Sequence, residues 1–332
     1  MQRLRAAVIG LGVGEQHLAG YAAHPASEPV AVCDTDPARL AEVAARHPGL
    51  RATTDPGEVL GAADVDVVSV ASYDSAHFAQ IAAALQAGKH VFAEKPMVVE
   101  EQHAREVRRL LAANPELRLS TNVPLRRSPR FLELRARIAG GELGTLFHAE
   151  GDYDYGRRHK LTGGWRGNVE PAYSVVLGGA IHLVDLLLWL TGERPDAVAC
   201  AVGGDLATRG TAFAPDDFVL AVLRCPSGMT WKVSANLGCV SPHFHGLRIY
   251  GTGATFANGL PDGVLHRPEG STAVTTPYPA VAKSDLIGPF LDAIVTGEPG
   301  VIGADDVFAA LSVCFAIERA HRSGAPEAIE WL

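Results

Sequence analysis

At 332 residues, with hydrophobic residues at 47% and charged ones at 20%, the chain is long enough for two ordinary domain cores and has the balance of a globular protein, not a disordered or fibrous one. Its formal charge of −8 sets the average surface against a nucleic-acid polyanion, which argues against nucleic acid as a partner. Cys33, Cys200, Cys225, Cys239 and Cys314 are scattered, odd in number and free of CxxC spacing, which fits a reducing cytoplasm better than a disulfide framework.

The opening MQRLRAAVIGLGVG sets two arginines before an apolar run but offers no small-residue cleavage site, so it reads as a first strand and not as a signal peptide. From residue 5 to residue 121, short β-branched runs alternate with alanine-rich helical stretches. Strands are predicted at Arg5–Ile9, Val30–Cys33, Asp66–Ala71, His90–Ala93 and Leu117–Thr121, and helices begin near Gly14, Pro37, Ser75 and Glu100. Pro37 after Asp36 is a good helix start, and the glycine of AGKH a good stop. The pattern predicts an α/β domain over residues 1–122, a doubly wound parallel sheet of the Rossmann type.

After NVPLRRSPRF the grammar changes, and residues 123–332 read as a second, α+β domain. A helix is predicted near Ser128–Ala139, a strand near Thr145–Asp154 and a long helix near Val175–Leu190. DDFVLAVLRC and MTWKVSANLG then flank a Pro-Ser-Gly turn, and HGLRIYGTGATFANG holds another strand pair, so an antiparallel sheet is implied. Closing helices follow near Ala282–Thr296 and Ala304–Arg322. The apolar stretch VVLGGAIHLVDLLLWL carries His182 and Asp185 in its middle and falls short of a bilayer span, so no membrane segment is expected.

The first strand runs into Gly10-Leu11-Gly12-Val13-Gly14, where glycines let a pyrophosphate approach the amides at a helix N-terminus. Glu15 stands where GxGxxG would place its third glycine, but the strand-turn-helix context and Asp34 at the end of the next strand supply the rest of a dinucleotide site. An acidic residue there binds ribose hydroxyls and repels a 2′-phosphate, so NAD is favoured over NADP. Glu94-Lys95-Pro96 follows the fifth strand, where doubly wound sheets place ligands, although a surface ion pair explains Glu94 and Lys95 alone equally well. His182, Asp185 and Trp189 share one helical face, which suits either catalysis or a satisfied core histidine.

Arg157, Arg158, His159, Lys160 and Arg166 concentrate positive charge within DYDYGRRHKLTGGWRG. A phosphate, nucleotide diphosphate or carboxylate of a substrate would dock on such a loop, and a solvated basic loop or a subunit contact accounts for it as well. Cys239, His243 and His245 in CVSPHFHG have the residue types of a zinc site but no evident fourth ligand, so no metal is assigned and the histidines are left for substrate hydroxyls.

Taken together, GLGVGEQH with His17, VCDTDPARL, AGKHVFAEKP, GWRG, GAIHLVDLLLWLTG and IYGTGATF resemble the glucose–fructose oxidoreductase, inositol dehydrogenase and rhizopine-catabolism group, the Gfo/Idh/MocA family, over nearly the whole chain. The resemblance implies a Rossmann domain followed by a domain with a large open antiparallel sheet that makes homodimers or homotetramers. It implies that Lys95 holds the reacting oxygen and that His182 is the general acid/base. It implies that Ser72, His77, Glu94, Asn122, Trp165 and Arg166 lie near the cofactor. Separately, Arg157 and Lys160 of the basic loop and the nearby Tyr153 and Tyr173 are expected to recognise the rest of the substrate. The family's usual aspartate four residues before the histidine is replaced by Gly178. Tyr173, a tyrosine of YDYGRRHK, or Asp185 one helical turn away is expected to support His182 instead. The activity implied is NAD-dependent hydride transfer at a hydroxyl-bearing carbon of a sugar, cyclitol or nucleotide-linked sugar. An NAD-dependent glycosidase and a non-catalytic sensor are the alternatives.

Overall fold

The structure, a computed structural model, describes residues 3–162 and 173–332. The chain divides into two compact units. The first comprises Met1–Pro124 with Ala282–Phe308, and the second Leu125–Val281 with Ala309–Leu332. The chain thus returns to its first unit late, a feature that a boundary after residue 122 does not contain.

In the first unit β1 (Leu4–Ile9), β2 (Ser27–Cys33), β3 (Arg51–Thr53), β4 (Val67–Val70), β5 (His90–Ala93) and β6 (Leu119–Thr121) form a six-stranded sheet in the order β3-β2-β1-β4-β5-β6, parallel throughout. That order reverses direction between β1 and β4, the point at which such sheets take ligands. The crossovers carry α1 (Glu15–Ala23), α2 (Pro37–Arg46), α3 (Pro56–Leu60), α4 (Asp74–Gln86) and α5 (Glu101–Ala113). Asp36 caps α2 by accepting from Ala38 N at 2.9 Å, and Asp55 caps α3 by accepting from Gly57 N at 2.8 Å. Both precede a proline at the first helical position. Neither β3 nor α3 was predicted: β3 has three residues with little buried surface and α3 five, too short for a periodicity to show.

In the second unit α6 (Pro129–Ala139) precedes β7 (Leu146–Asp154), followed by the short α7 (His159–Thr162). A π-helical turn (Val176–Ala180) leads into α8 (Ile181–Thr191). The sheet gains β8 (Ala197–Gly204), β9 (Phe218–Arg224), β10 (Thr230–Asn236), β11 (Phe244–Gly251), β12 (Thr255–Ala257), β13 (Gly263–Arg267), β14 (Gly270–Val274) and β15 (Glu327–Ala328). Its order is β14-β13-β12-β11-β7-β10-β9-β8-β15, with β7 and β10 as a parallel pair at the centre of an otherwise antiparallel array. The predicted pairs β9–β10 and β11–β12 form as read, around Pro-Ser-Gly and around glycine. Gly151 on β7 lets α8 pack closely, since a Cβ there would come within 2.9 Å of Leu183.

The two remaining helices are α9 (Ile287–Thr296) and α10 (Ala304–Ser323). α9 belongs to the first unit, where Phe290 lies 5.6 Å from Phe92 and Ile287 rests on Gly20 of α1. Among the described residues no helix is long and apolar enough to cross a membrane.

Candidate active site

In the first unit, β1 ends in the glycine loop. Gly10 has φ +88°, and a Cβ on it would collide with the carbonyl of Ala71 at the end of β4, so only glycine suits this turn. Gly12 is the reverse case: a Cβ there would meet nothing within 4 Å, which leaves the backbone open to an incoming group. Gly14 sits at the N-cap of α1 without a side-chain cap; Gln16 N and His17 N turn back to Val13 O and Gly14 O at 3.0 and 2.9 Å, so the positive end of the helix faces the loop. Asp34 accepts from Leu11 N at 2.7 Å and from Asp36 N at 2.9 Å, which fixes its carboxylate against the loop with further lone pairs to spare. Leu11 is buried beneath the turn and Val13 is exposed on it. Open backbone, uncapped helix and anchored carboxylate fit a dinucleotide with a free ribose diol.

On the same C-terminal edge of the sheet a buried polar network begins where β5 stops. Glu94 Oε1 accepts from Asn122 Nδ2 at 2.7 Å and lies 3.4 Å from His17 Nε2, and Glu94 Oε2 faces the Lys95 backbone N–H at 3.3 Å. His17 Nδ1 is 3.3 Å from the Ser69 hydroxyl, which also meets the Tyr21 hydroxyl at 2.8 Å. Burial alone would raise the Glu94 carboxyl, but Lys283, His17 and Lys95 together outweigh it and hold the group well below the usual carboxylate range. Lys95 is therefore next to a permanent anion, joined to Pro96 by a cis peptide. His77 is fully buried, with Nδ1 2.8 Å from the Pro96 carbonyl and Nε2 3.2 Å from the Ser72 carbonyl, so it braces the backbone on both sides of the loop. Ser72 donates to Gln80 at 2.7 Å.

In the second unit, β7, β11 and α8 bring aromatic and imidazole rings together. Tyr153 stands opposite His245 in the β7–β11 register. Its ring stacks on His182 at 5.8 Å and on Tyr155 at 6.3 Å, with His243 at 5.4 Å and His245 at 5.5 Å. His182 is buried, and His245 meets it edge-on at 5.7 Å. Burial pushes the Tyr278 phenol up to about 12, so it keeps its proton at neutral pH. Its oxygen accepts the His245 backbone N–H at 2.9 Å and lies 2.8 Å from His245 Nδ1, which fixes the ring's orientation. His243 Nδ1 donates to the Asp154 carbonyl at 3.0 Å.

Several sequence-level candidates acquire definite surroundings. Asp185 is buried and accepts from Arg126 Nε at 3.0 Å and from a terminal nitrogen at 2.6 Å, so its charge is paired with Arg126, 59 residues away. Gly178 faces Tyr173, whose hydroxyl occupies the place where a Cβ of residue 178 would stand. Arg157, Arg158, His159 and Lys160 are exposed, with the Arg157 guanidinium 6.0 Å from the Tyr155 ring. Trp165 and Arg166 lie outside the described residues. The Cys239 thiol takes part in backbone bonds with Gly156 N and Asn236 O, each at 3.3 Å. Among the described residues no group of three or more His, Cys, Asp or Glu side chains is placed to hold a metal ion. Lys283 escaped the sequence reading because no motif surrounds it; only the return of the chain brings it to Glu94.

Residues 4–122 match the family model described as "Oxidoreductase family, NAD-binding Rossmann fold", and residues 131–257 match "GFO/IDH/MocA C-terminal domain". A 1,5-anhydro-D-fructose reductase of Ensifer adhaerens is 28% identical over 91% of both chains. Inositol 2-dehydrogenase 3 of Saccharopolyspora erythraea is 26% identical over 97% of this chain and 94% of its own. Among solved structures, levoglucosan dehydrogenase in complex with NADH superposes with a TM-score of 0.85 at 22% identity, covering 100% of each chain, a likeness of fold. With a glycine loop and anchored aspartate that accept a dinucleotide, and with both of its halves matched in chain order, this protein belongs to the Gfo/Idh/MocA family of NAD-binding oxidoreductases.

Proposed function

We propose that the protein transfers a hydride between NAD and a hydroxyl-bearing carbon of a sugar, cyclitol or nucleotide-linked sugar, with Lys95 and His182 as its catalytic residues. The observation that carries the reading is the run Glu94-Lys95-Pro96 at the C-terminal edge of the parallel sheet, where a buried carboxylate stands beside the lysine. Relatives named as a sugar reductase and an inositol dehydrogenase support a sugar-like substrate. Bound NAD would supply the hydride acceptor or donor, held by Gly10–Gly14 and Asp34.

Lys95 donates a hydrogen bond to the reacting oxygen and stabilises the charge that grows on it. His182 takes or returns the hydroxyl proton. His243 and His245, each with Nδ1 engaged by the protein, are suited to read substrate hydroxyls with Nε2. Tyr153, Tyr173, Arg157 and Lys160 recognise the remainder of the substrate. The protein works in the cytoplasm as a homodimer or homotetramer, a reading supported by Phe147 and Val202, which stay exposed on the strands of the nine-stranded sheet.

The test follows absorbance of reduced nicotinamide while protein and NAD meet a panel of sugars, cyclitols and nucleotide sugars. Substrate-dependent NADH formation is expected, reduced about 10²- to 10⁴-fold in kcat by Lys95→Ala and by His182→Ala. Tight NAD binding with no NADH from any member would reject hydride release to solution and favour the glycosidase or sensor reading.

A further inference from the structure

Lys283 stands in the turn ahead of α9 and is half-buried. Its carbonyl accepts from Asn122 Nδ2 at 3.0 Å, and the same nitrogen donates to Glu94 Oε1 at 2.7 Å. The turn is held from both ends. Asp285 accepts from Ala282 N at 2.7 Å, and Leu286, Ile287 and Phe290 are buried in the first unit. The fold thus sets where the stem of Lys283 begins, close to the carboxylate that adjoins Lys95.

The ammonium acts on Glu94 through space and helps keep it ionised. Yet among the described residues Lys283 Nζ makes no hydrogen bond and has no carboxylate within ion-pair distance. Among the described residues the three donors of this half-buried cation have no protein acceptor. A second atom nearby is in the same condition with opposite polarity: Asn122 Oδ1 is fully buried and has no partner. The amide cannot turn over to relieve it, because Nδ2 already gives its hydrogens to Glu94 Oε1 and the Lys283 carbonyl, and Oδ1 would then face two acceptors. A cationic donor and a neutral acceptor, linked through one amide and one carbonyl, are therefore both unsatisfied at the end of the sheet that carries Lys95. The partly exposed ammonium is the one of the two that a ligand can reach, and an anion best satisfies it.

We propose that Lys283 receives an anionic group of the substrate, a carboxylate or a phosphate, so that the preferred sugar is an acid or a phosphate ester and not a neutral polyol. This deepens the hydride-transfer reading and rests on it for the word substrate. It also moves anion recognition away from the exposed arginines of residues 157–158, where solvent screens charge, to a half-buried cation.

The experiment is calorimetric titration of the NAD-loaded protein with D-glucuronate, D-glucose 6-phosphate and D-glucose, for the wild type, Lys283→Met and Lys283→Arg. The wild type is expected to bind one of the two anions about 10- to 100-fold more tightly than glucose, the range for a charge-assisted hydrogen bond. Which anion wins separates carboxylate from phosphate. In Lys283→Met that ratio should collapse to about unity, and in Lys283→Arg it should largely survive. Because the readout is a ratio, a general weakening through Glu94 does not imitate the result. The proposal is overturned if neither anion outbinds glucose, or if the preference persists in Lys283→Met. A preserved anion preference with no NADH formed from any sugar would instead defeat the hydride-transfer reading alone.

Discussion

Two tyrosines explain why the helix carrying His182 opens on a pair of glycines. The Tyr173 hydroxyl stands where a side chain on Gly178 would begin, and a Cβ on Gly179 would come within 2.6 Å of the Tyr153 ring. Residue 178 precedes His182 by four, so a group at its Cβ position lies on the face from which the His182 ring projects. The expectation that Tyr173 supports His182 is tested by removing its hydroxyl. Tyr173→Phe, which keeps the ring, should lower kcat about tenfold, the worth of one hydrogen bond near 1.4 kcal/mol, with little change in melting temperature. An unchanged kcat would reduce Tyr173 to packing.

At this scale the sequence was uneven as a guide. The glycine loop, Asp34 and Glu94-Lys95-Pro96 were legible because their chemistry lies in consecutive residues or at a known offset. Asp185 was not, since its helical spacing to His182 is visible in one dimension and its bond to Arg126 is not. Lys283 was silent for the same reason.

Helices and strands were legible where burial imposes a period. Residues of β4 are buried on both faces, and Val-Val-Ser-Val shows it as a continuous run. The π-helical turn at Val176–Ala180 follows no such period; it lies where the rings of Tyr173 and Tyr153 meet the backbone. At the element scale, α8 is tied to the segment before α6 by the buried pair of Arg126 and Asp185, with side chains 3% and 1% exposed. Removing one partner leaves the other charge buried and unpaired. Arg126→Met should therefore cost about 3–5 kcal/mol, measured as a lower urea midpoint at unchanged slope. The double variant Arg126→Met with Asp185→Leu should recover most of the loss. If the single variant is as stable as the wild type, the pair does not hold these elements.

On the scale of the whole molecule, the first unit is built from two stretches of chain separated by all but the last strand of the second unit's sheet. Phe290 is buried and touches Phe92 of β5, so a residue near the C-terminus supports the nucleotide-binding sheet. Phe290→Ala should destabilise that unit by about 3–5 kcal/mol and speed hydrogen exchange in β5 more than in β9 or β10. Equal effects in both units would show that they unfold as one.

The parallel pairing of β7 with β10 has a further consequence, for the order in which the protein is made. Tyr153 of β7 waits for Ala235 of β10 on one side and His245 of β11 on the other, so β7 leaves the ribosome with both edges bare. The first unit waits longer still, for α9. The first unit cannot close before α9 is made, and β8 keeps one edge bare until β15 is made, so the nascent chain carries exposed strand edges through most of its synthesis.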